Sequence, residues 1–227
     1  MTHDDIKETN SEVLRIMSSV FTDMATSNEI ADTCRTIEKM SFMLCNELRH
    51  QKKNPASFDD EYIKTLSAVS PIHDIGKVVI PQEILNKPGR LNRKEKAAVR
   101  KHPEKGYHML LGIIGNRNDL PARLAKEVTL YHHEKWDGTG YPRGLKGDEI
   151  PLSARIIALV DVYHALRSKR CYKESYSHEE SCSIIQEGSG THFDPMVVSA
   201  FMAAAHRFDE MFERCYFEDD ECGVAIA

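Results

Sequence analysis

Four histidines and two aspartates are spaced along the chain as a shared metal centre would require. They lie at intervals of close to thirty residues: His73-Asp74, His102, His132-His133 and Asp161. Adjacent side chains on a helix diverge by about 100°, so a His-Asp dipeptide can place its histidine on one ion and bridge its carboxylate to a second. Imidazole and carboxylate together suit first-row transition metals such as Fe, Mn or Zn. This pattern favours a di-metal hydrolase.

Asp161 carries the clearest single signal. It lies within the apolar run Ile156–Tyr163, so the helix that holds it should be largely buried. A buried carboxylate is costly unless it is paired or bound to a metal. Taken alone, Asp161 could also face a polar stripe or cap a neighbour, and each histidine could be an ordinary core or surface residue. The metal hypothesis therefore rests on the six positions together.

Helical periodicity runs through most of the chain and would position these residues. Apolar side chains recur at three- and four-residue spacing in five stretches of the first 132 residues. These stretches are 13–24, 30–48, 62–73, 95–109 and 124–132. A loop is expected between the third and fourth stretches, over Pro81–Asn92.

The second half of the chain contains one interruption and two helix starts. Trp136–Leu152 holds four glycines and two prolines, which is typical of a shaped loop. Ser177 and Glu180 form a capping box, and Asp194-Pro195 is an N-cap followed by proline at the first helical position. No alternating strand is visible. We therefore predict an all-α, multi-helix bundle of about seven to nine helices.

Three segments follow from this pattern. Residues 1–28 would form an N-terminal helix that either dimerises or packs on the core. Residues 29–215 would form the main domain, and residues 216–227 an acidic, mobile tail.

Composition limits the function classes. The 227 residues are 41% hydrophobic and 29% charged, with a net charge of −5. These values fit a soluble globular protein and argue against duplex nucleic acid or an anionic membrane as partner, since both favour a basic excess. We expect no signal peptide and no membrane span, because no basic stretch precedes an apolar run and no window approaches 18 apolar residues. Six cysteines without a C-x-x-C pair favour a cytoplasmic location with free thiols.

Several motifs occur in order over residues 29–205. His73-Asp74 continues as Ile75-Gly76-Lys77, and His132-His133 leads into a loop containing Gly140-Tyr141-Pro142. Further matches are ILNKPG at 84–89, RCYK at 170–173 and GTHFDP at 190–195. The chain closely resembles the HD-GYP family of the HD superfamily.

The resemblance implies an all-α HD-GYP bundle with a defined activity. It implies a metal-dependent cyclic di-GMP phosphodiesterase that uses a metal-activated water to give pGpG, GMP or both. The cofactors would be two divalent transition-metal ions, Fe or Mn first, with Zn or Ni as alternatives. Cyclic di-GMP would be the ligand, and the partners would be a second copy, through the N-terminal helix, or a signalling protein.

The resemblance also implies the metal ligands. His73 and Asp161 would bind one metal, with Asp74 as the bridging carboxylate. His102 and the dipeptide His132-His133 would hold the second metal.

Substrate contacts are implied in the same way. Lys77, one helical turn from Asp74, would contact the scissile phosphate and act with Asp74 in catalysis. Arg170 and Lys173 would clamp the phosphates or guanines, although both could instead lie on a solvated basic surface. Gly140-Tyr141-Pro142 would brace the pocket wall. Trp136 and Tyr141 could stack on guanine, but packing of the loop is the favoured interpretation.

Two positions depart from the family pattern. Thr33 stands where members carry a metal-binding histidine, and a hydroxyl is a poor ligand for these ions. One metal would therefore keep only His73, Asp74 and Asp161, and a third metal involving Glu29 is not expected.

His164 replaces an acid that pairs with the motif lysine in the family. Together with Thr33 it motivates an alternative function: a catalytically weak receptor for cyclic di-GMP, or a module that binds a signalling partner. An HD hydrolase of another nucleotide is a third interpretation, which the complete GYP loop disfavours.

Overall fold

A computed structural model describes residues 28–51, 58–168 and 175–217, with helical side chains described from 32 to 214. Within these ranges the regular structure is nine α-helices and two 3-10 segments. The helices are α1 (Asn28–His50), α2 (Asp60–Val69), α3 (Gln82–Leu85), α4 (Arg93–Val99), α5 (His102–Ile114), α6 (Leu120–Tyr131), α7 (Leu152–Arg167), α8 (His178–Glu187) and α9 (Pro195–Phe217). The 3-10 segments are Ser70–Val79 and Gly147–Glu149. No strand occurs in the described ranges, so the predicted all-α bundle is confirmed.

The core forms where α1, α7 and α9 pack together. α9 lies along α1, and α7 contacts α1, α6, α8 and α9. α7 lies at the centre because it is apolar around most of its circumference; Ile156, Leu159 and Tyr163 are completely buried. Burying each side chain of this size contributes about 1.5–3 kcal/mol. Asp161 lies on this helix, with 22% of its side chain exposed.

The chain changes helix type just before His73. The apolar stripe predicts one helix through that residue, but α2 ends at Val69 and a 3-10 segment begins at Ser70. Pro71 is the cause, since it has no N–H to donate to the carbonyl of Ser67. The Ser70 hydroxyl donates to that carbonyl instead, at 2.8 Å. Side chains three residues apart are eclipsed in a 3-10 helix, which aligns Asp74 with Lys77.

The other boundaries follow local signals. The helix predicted over 95–109 is two helices, α4 and α5, because the chain breaks at residues 100–101 and Pro103 lies in the first turn of α5. The predicted loop over 81–92 contains the single turn α3. The capping box of Ser177 and Glu180 is confirmed, as is the N-cap at Asp194, which accepts from the Met196 N–H at 2.8 Å. Residues 1–27 and 218–227, with the predicted N-terminal helix and acidic tail, lie outside the described residues.

Two glycines allow the first 3-10 segment to cross α5. A Cβ atom on Gly76 would lie 2.0 Å from the carbonyl oxygen of His102 and 2.6 Å from the amide nitrogen of Gly106. A Cβ atom on Gly106 would lie 2.8 Å from a methyl carbon of Thr129 on α6. The backbones therefore approach as closely as they can, which brings His73-Asp74 next to His102.

None of the helices in the described ranges is both long and apolar enough to cross a membrane.

The crossing gives a stability prediction. Gly76→Ala should lower the free energy of unfolding by about 3 kcal/mol, because the added methyl group meets backbone atoms that cannot rotate away. Gly112→Ala is the matched control, since a Cβ atom there has no neighbour within 4 Å and alanine favours the helix by about 1 kcal/mol. Denaturant unfolding followed by circular dichroism measures both. Equal midpoints for the two variants would contradict this account of the crossing.

Candidate metal centre

The six residues expected to bind metal converge in two overlapping groups. One ligand atom from each member of a group lies within 4.8 Å of the others. The groups are His73, Asp74 and Asp161, and Asp74, His102, His132 and His133. Asp74 belongs to both groups, as a bridging carboxylate would.

The two oxygens of Asp74 face different neighbours. Oδ1 lies 3.1 Å from Nε2 of His102 and 3.7 Å from Nε2 of His132. Oδ2 lies 3.5 Å from Nε2 of His73 and 2.5 Å from Nζ of Lys77. Nε2 of His73 is also 3.7 Å from Oδ1 of Asp161, which completes the first group. Oδ1 of Asp74 thus faces the His102 group, and Oδ2 faces the His73 group.

Backbone carbonyls fix the orientation of three imidazoles. Nδ1 of His73 donates to the carbonyl of Ser70, and Nδ1 of His102 donates to that of Val99, both at 2.8 Å. Nδ1 of His132 donates to the carbonyl of Val128, one turn earlier in α6, also at 2.8 Å. Because a carbonyl accepts only, each Nδ1 carries a proton and each Nε2 faces the cluster, so the neutral form of each ring offers its Nε2 lone pair to a metal ion. This tautomer is the one required of a metal ligand.

Two buried atoms at the centre of the cluster lack partners. Nε2 of His73 and Oδ1 of Asp74 are inaccessible to water and make no hydrogen bond to any described residue. A buried polar atom without a partner costs about 1–3 kcal/mol, and more when the group is charged. Cations between these atoms would remove that cost. The mixed nitrogen and oxygen donors fit divalent transition metals.

Charge compensation keeps both carboxylates ionised. Burial alone would raise the pKa of Asp74, but Lys77 and His73 outweigh it and hold that pKa well below its usual range. Burial would also raise the pKa of Asp161, but His73 outweighs burial and lowers that pKa below its usual range. At His73 burial lowers the pKa, yet Asp74 and Asp161 together raise it above its ordinary value. The cluster therefore offers anionic oxygens.

The dipeptide His132-His133 stays neutral for a different reason. Burial lowers the pKa of His132, although Asp74 opposes the shift. Burial and the neighbouring His132 lower the pKa of His133 to about 2. Neutral imidazole is the form that binds a metal ion.

Glu134 anchors the glycine-rich loop beside the cluster, a loop in which the Tyr141-Pro142 bond is cis. The buried carboxylate of Glu134 accepts hydrogen bonds from the Arg143 and Leu145 amides, at 2.6 and 3.1 Å. The loop also passes so close to the Glu134 backbone that a Cβ atom on Gly140 would lie 2.5 Å from the Cα atom of Glu134. These contacts hold the loop against the end of α6.

The GYP motif contacts the cluster directly. The ring of Tyr141 stacks on that of His133, with centroids 4.8 Å apart and an interplanar angle of 26°. The Tyr141 amide donates to the His133 carbonyl at 3.1 Å. The motif therefore packs on a candidate metal ligand, and its predicted role as a pocket wall stays a prediction.

Trp136 ties the same loop to the segment before α9. Its amide donates to the carbonyl of His192 at 3.1 Å, and its ring lies 5.5 Å from the Arg155 guanidinium carbon. Arg155 also pairs with the buried Asp194 at 2.7 Å. These contacts support the packing interpretation of Trp136.

The remaining predicted residues divide into three cases. Lys77 lies against Asp74, and its predicted contact with a phosphate stays a prediction. Arg170 and Lys173 lie outside the described residues. Thr33 is half-buried on α1, and His164 is buried, with Nε2 3.4 Å from the Ser168 hydroxyl and its ring 6.0 Å from that of Phe212.

Two supporting features are absent from the sequence prediction. Glu134 follows the His-His dipeptide and precedes a loop of many glycines, so an anchoring carboxylate could have been predicted there. The carbonyls that orient the imidazoles come three residues before His73 and His102 and four before His132, which is helical spacing.

Comparison with known proteins agrees with the geometry. A helical bundle with this histidine–aspartate cluster is typical of metal-dependent phosphohydrolases. Residues 24–197 match the family described as HD domain, so the chain belongs to that family. The predicted assignment to its HD-GYP group is confirmed.

Three relatives come from Vibrio cholerae. A probable cyclic di-GMP phosphodiesterase is 41% identical over 204 residues, covering 89% of this chain and 45% of the relative. A cyclic di-GMP phosphodiesterase is 49% identical over 150 residues, covering 65% and 30%. A 3'3'-cGAMP-specific phosphodiesterase 2 is 36% identical over 198 residues, covering 87% and 35%. The chain spans less than half the length of these relatives.

A solved structure shows the same fold. The crystal structure of a cyclic GMP-AMP specific phosphodiesterase from V. cholerae superposes with a TM-score of 0.55, covering 93% of this chain and 52% of that chain. At 16% identity, the likeness concerns the fold.

The cluster gives a prediction for metal binding. His102→Ala should weaken binding of Mn or Fe by at least about tenfold, because it removes an Nε2 ligand that a backbone carbonyl orients. His108→Ala is the control, since His108 is exposed on the same helix. Metal content after dialysis, measured by mass spectrometry, separates the variants. Equal metal retention would show that the ion binds elsewhere.

Proposed function

We propose that the chain is a metal-dependent cyclic di-GMP phosphodiesterase that releases pGpG, GMP or both. One observation carries the proposal: the partly buried Asp74 carboxylate is shared by two ligand groups and also contacts Lys77. Relatives named cyclic di-GMP phosphodiesterases support the choice of substrate.

Two divalent transition-metal ions would be the cofactors, with Fe or Mn favoured and Zn or Ni as alternatives. His73, Asp74 and Asp161 would hold one ion; Asp74, His102 and the dipeptide His132-His133 would hold the other. When bound, the ions would neutralise charge on the phosphoryl oxygens and activate the attacking water.

The chain's own groups would orient the substrate. Nζ of Lys77 is fixed beside Oδ2 of Asp74 and carries a positive charge that a phosphoryl oxygen can share. The eclipsed spacing of the 3-10 segment sets this position. The loop held by Glu134 would form one wall, with Tyr141 packed on His133. Arg170 and Lys173 would bind the phosphates or guanines, as the family resemblance implies.

The direct test is turnover. The Mn- or Fe-loaded protein should convert cyclic di-GMP to pGpG or GMP, and Asp74→Asn should lower kcat/KM at least about a thousandfold, because the substitution removes the charge shared by both ligand groups. His108→Ala should keep wild-type activity. A chelator should abolish the activity of the wild-type protein. Product analysis by liquid chromatography, with 3'3'-cGAMP as a second substrate, measures the outcome. Turnover of 3'3'-cGAMP alone would overturn the proposed substrate.

A receptor with little turnover is the second candidate. Thr33 and His164 favour it, because both positions depart from the family pattern. Tight binding of cyclic di-GMP by the metal-loaded protein without product would select this function.

Thr33 gives a specific prediction. α1 packs against both the 3-10 segment that holds His73 and the helix α7 that holds Asp161, so a histidine at position 33 could add a ligand to the first group. Thr33→His should therefore raise metal occupancy and turnover. Arg35→His, at an exposed position, is the matched control. No gain over that control would show that α1 contributes no ligand at position 33.

A cytoplasmic location and two interactions remain predictions. The N-terminal helix, which lies outside the described residues, would either form a homodimer or pack on the core, and a signalling protein would be a second partner. Size-exclusion chromatography with light scattering tests the dimer.

A further inference from the structure

Arg100 completes a stack of three groups that begins at the metal cluster. The Tyr141 ring lies on the His133 ring, and the guanidinium carbon of Arg100 lies 4.3 Å from the centroid of the Tyr141 ring. A guanidinium on an aromatic face is attracted by the ring quadrupole, and its planar shape allows it to stack there. The stack therefore links the Arg100 cation, through the Tyr141 ring, to the candidate metal ligand His133.

The location of Arg100 follows from the break between α4 and α5. Arg100 is the C-cap of α4 and precedes His102 by two residues. Arg100 lies at the rim of the centre.

The guanidinium of Arg100 has no polar partner among the described residues. Other arginines near the loop do: Arg155 pairs with Asp148 and Asp194, and Arg143 lies 3.8 Å from Glu104. Arg100 is exposed and forms no ion pair or side-chain hydrogen bond within the described ranges. Its five N–H donors are therefore available to a ligand, while its guanidinium carbon rests on the Tyr141 ring.

The surrounding segment attracts anions. Residues 87–105 contain eight lysines and arginines and two glutamates, whereas the whole chain has a net charge of −5. Such a concentration of positive charge beside the cluster raises the local concentration of an anionic substrate. Charge alone does not distinguish Arg100 from its neighbours, but the Tyr141 contact does.

We propose that Arg100 binds the second, non-scissile phosphate of the cyclic dinucleotide, a role that rests on the proposed function. One phosphate would lie at the metal cluster beside Lys77. The ring of a cyclic dinucleotide carries another, and a planar guanidinium can hold a phosphate through two parallel hydrogen bonds. Arg100 would thus select a two-phosphate ring over an ordinary phosphodiester.

The test compares two substrates on the Mn-loaded protein. Arg100→Ala should raise KM for cyclic di-GMP about ten- to a hundredfold, the usual effect of losing a charge-assisted contact, while kcat changes less than about threefold. Both constants for bis(4-nitrophenyl) phosphate, which has one phosphate, should stay within about threefold of wild type. Arg100→Lys should recover part of the loss, because it keeps the charge but not the fork.

Arg93→Ala is the matched control, since Arg93 is exposed on the same basic segment. It should leave KM for cyclic di-GMP within about twofold of wild type. An equal rise in KM for Arg93→Ala would assign the effect to overall charge and overturn the proposal. Parallel losses on both substrates, or no change with Arg100→Ala, would overturn it too.

Binding separates this proposal from the proposed function. If the wild-type protein hydrolyses no cyclic di-GMP, the proposed phosphodiesterase function is wrong. Calorimetric titration of the protein with cyclic di-GMP then still tests the role of Arg100. A Kd for cyclic di-GMP about tenfold or more higher in Arg100→Ala supports the contact. An unchanged Kd, or no binding to the wild-type protein, overturns it.

Discussion

A carboxylate with a buried oxygen costs free energy until cations compensate its charge, and three elements of the fold place Lys77 and three imidazoles around Asp74. The 3-10 segment brings His73 and Lys77 to one oxygen, while α5 and the end of α6 bring His102 and His132 to the other. A shift of any one element would break its share of these contacts, because the side chains come from three separate parts of the chain. The close crossing of backbones at Gly76 and Gly106 is the packing that permits the arrangement.

Rigidity around the cluster comes from atoms that bind no metal themselves. Backbone carbonyls one turn before three histidines fix their tautomers, so the lone pairs already face the centre. Glu134 fixes the glycine-rich loop, and that loop carries Tyr141 to the outer face of His133. Arg100 covers Tyr141 in turn. The order of contacts therefore runs from the charged centre outward to the surface that an anionic ligand would meet first.

The six cluster residues could be predicted from the sequence because histidine and aspartate recur at helical positions, and an aspartate inside an apolar run is costly unless it binds a cation or a polar partner. The 3-10 segment could not be predicted, because the apolar stripe through Tyr62, Leu66 and Val69 continues in phase and hides the effect of Pro71. The role of Arg100 escapes prediction for a different reason. It depends on a loop that folds back over the end of α6, and no local pattern records the contact between Arg100 and Tyr141.

The proposed chemistry depends above all on the sharing of Asp74 by two metal ions. Anomalous diffraction at the Mn edge, on crystals of the Mn-loaded protein, tests that sharing most directly. We expect two anomalous peaks, one on each side of the Asp74 carboxylate, with His73 and Asp161 at one and His102, His132 and His133 at the other. A single peak, or two peaks that do not both contact Asp74, would contradict a shared carboxylate.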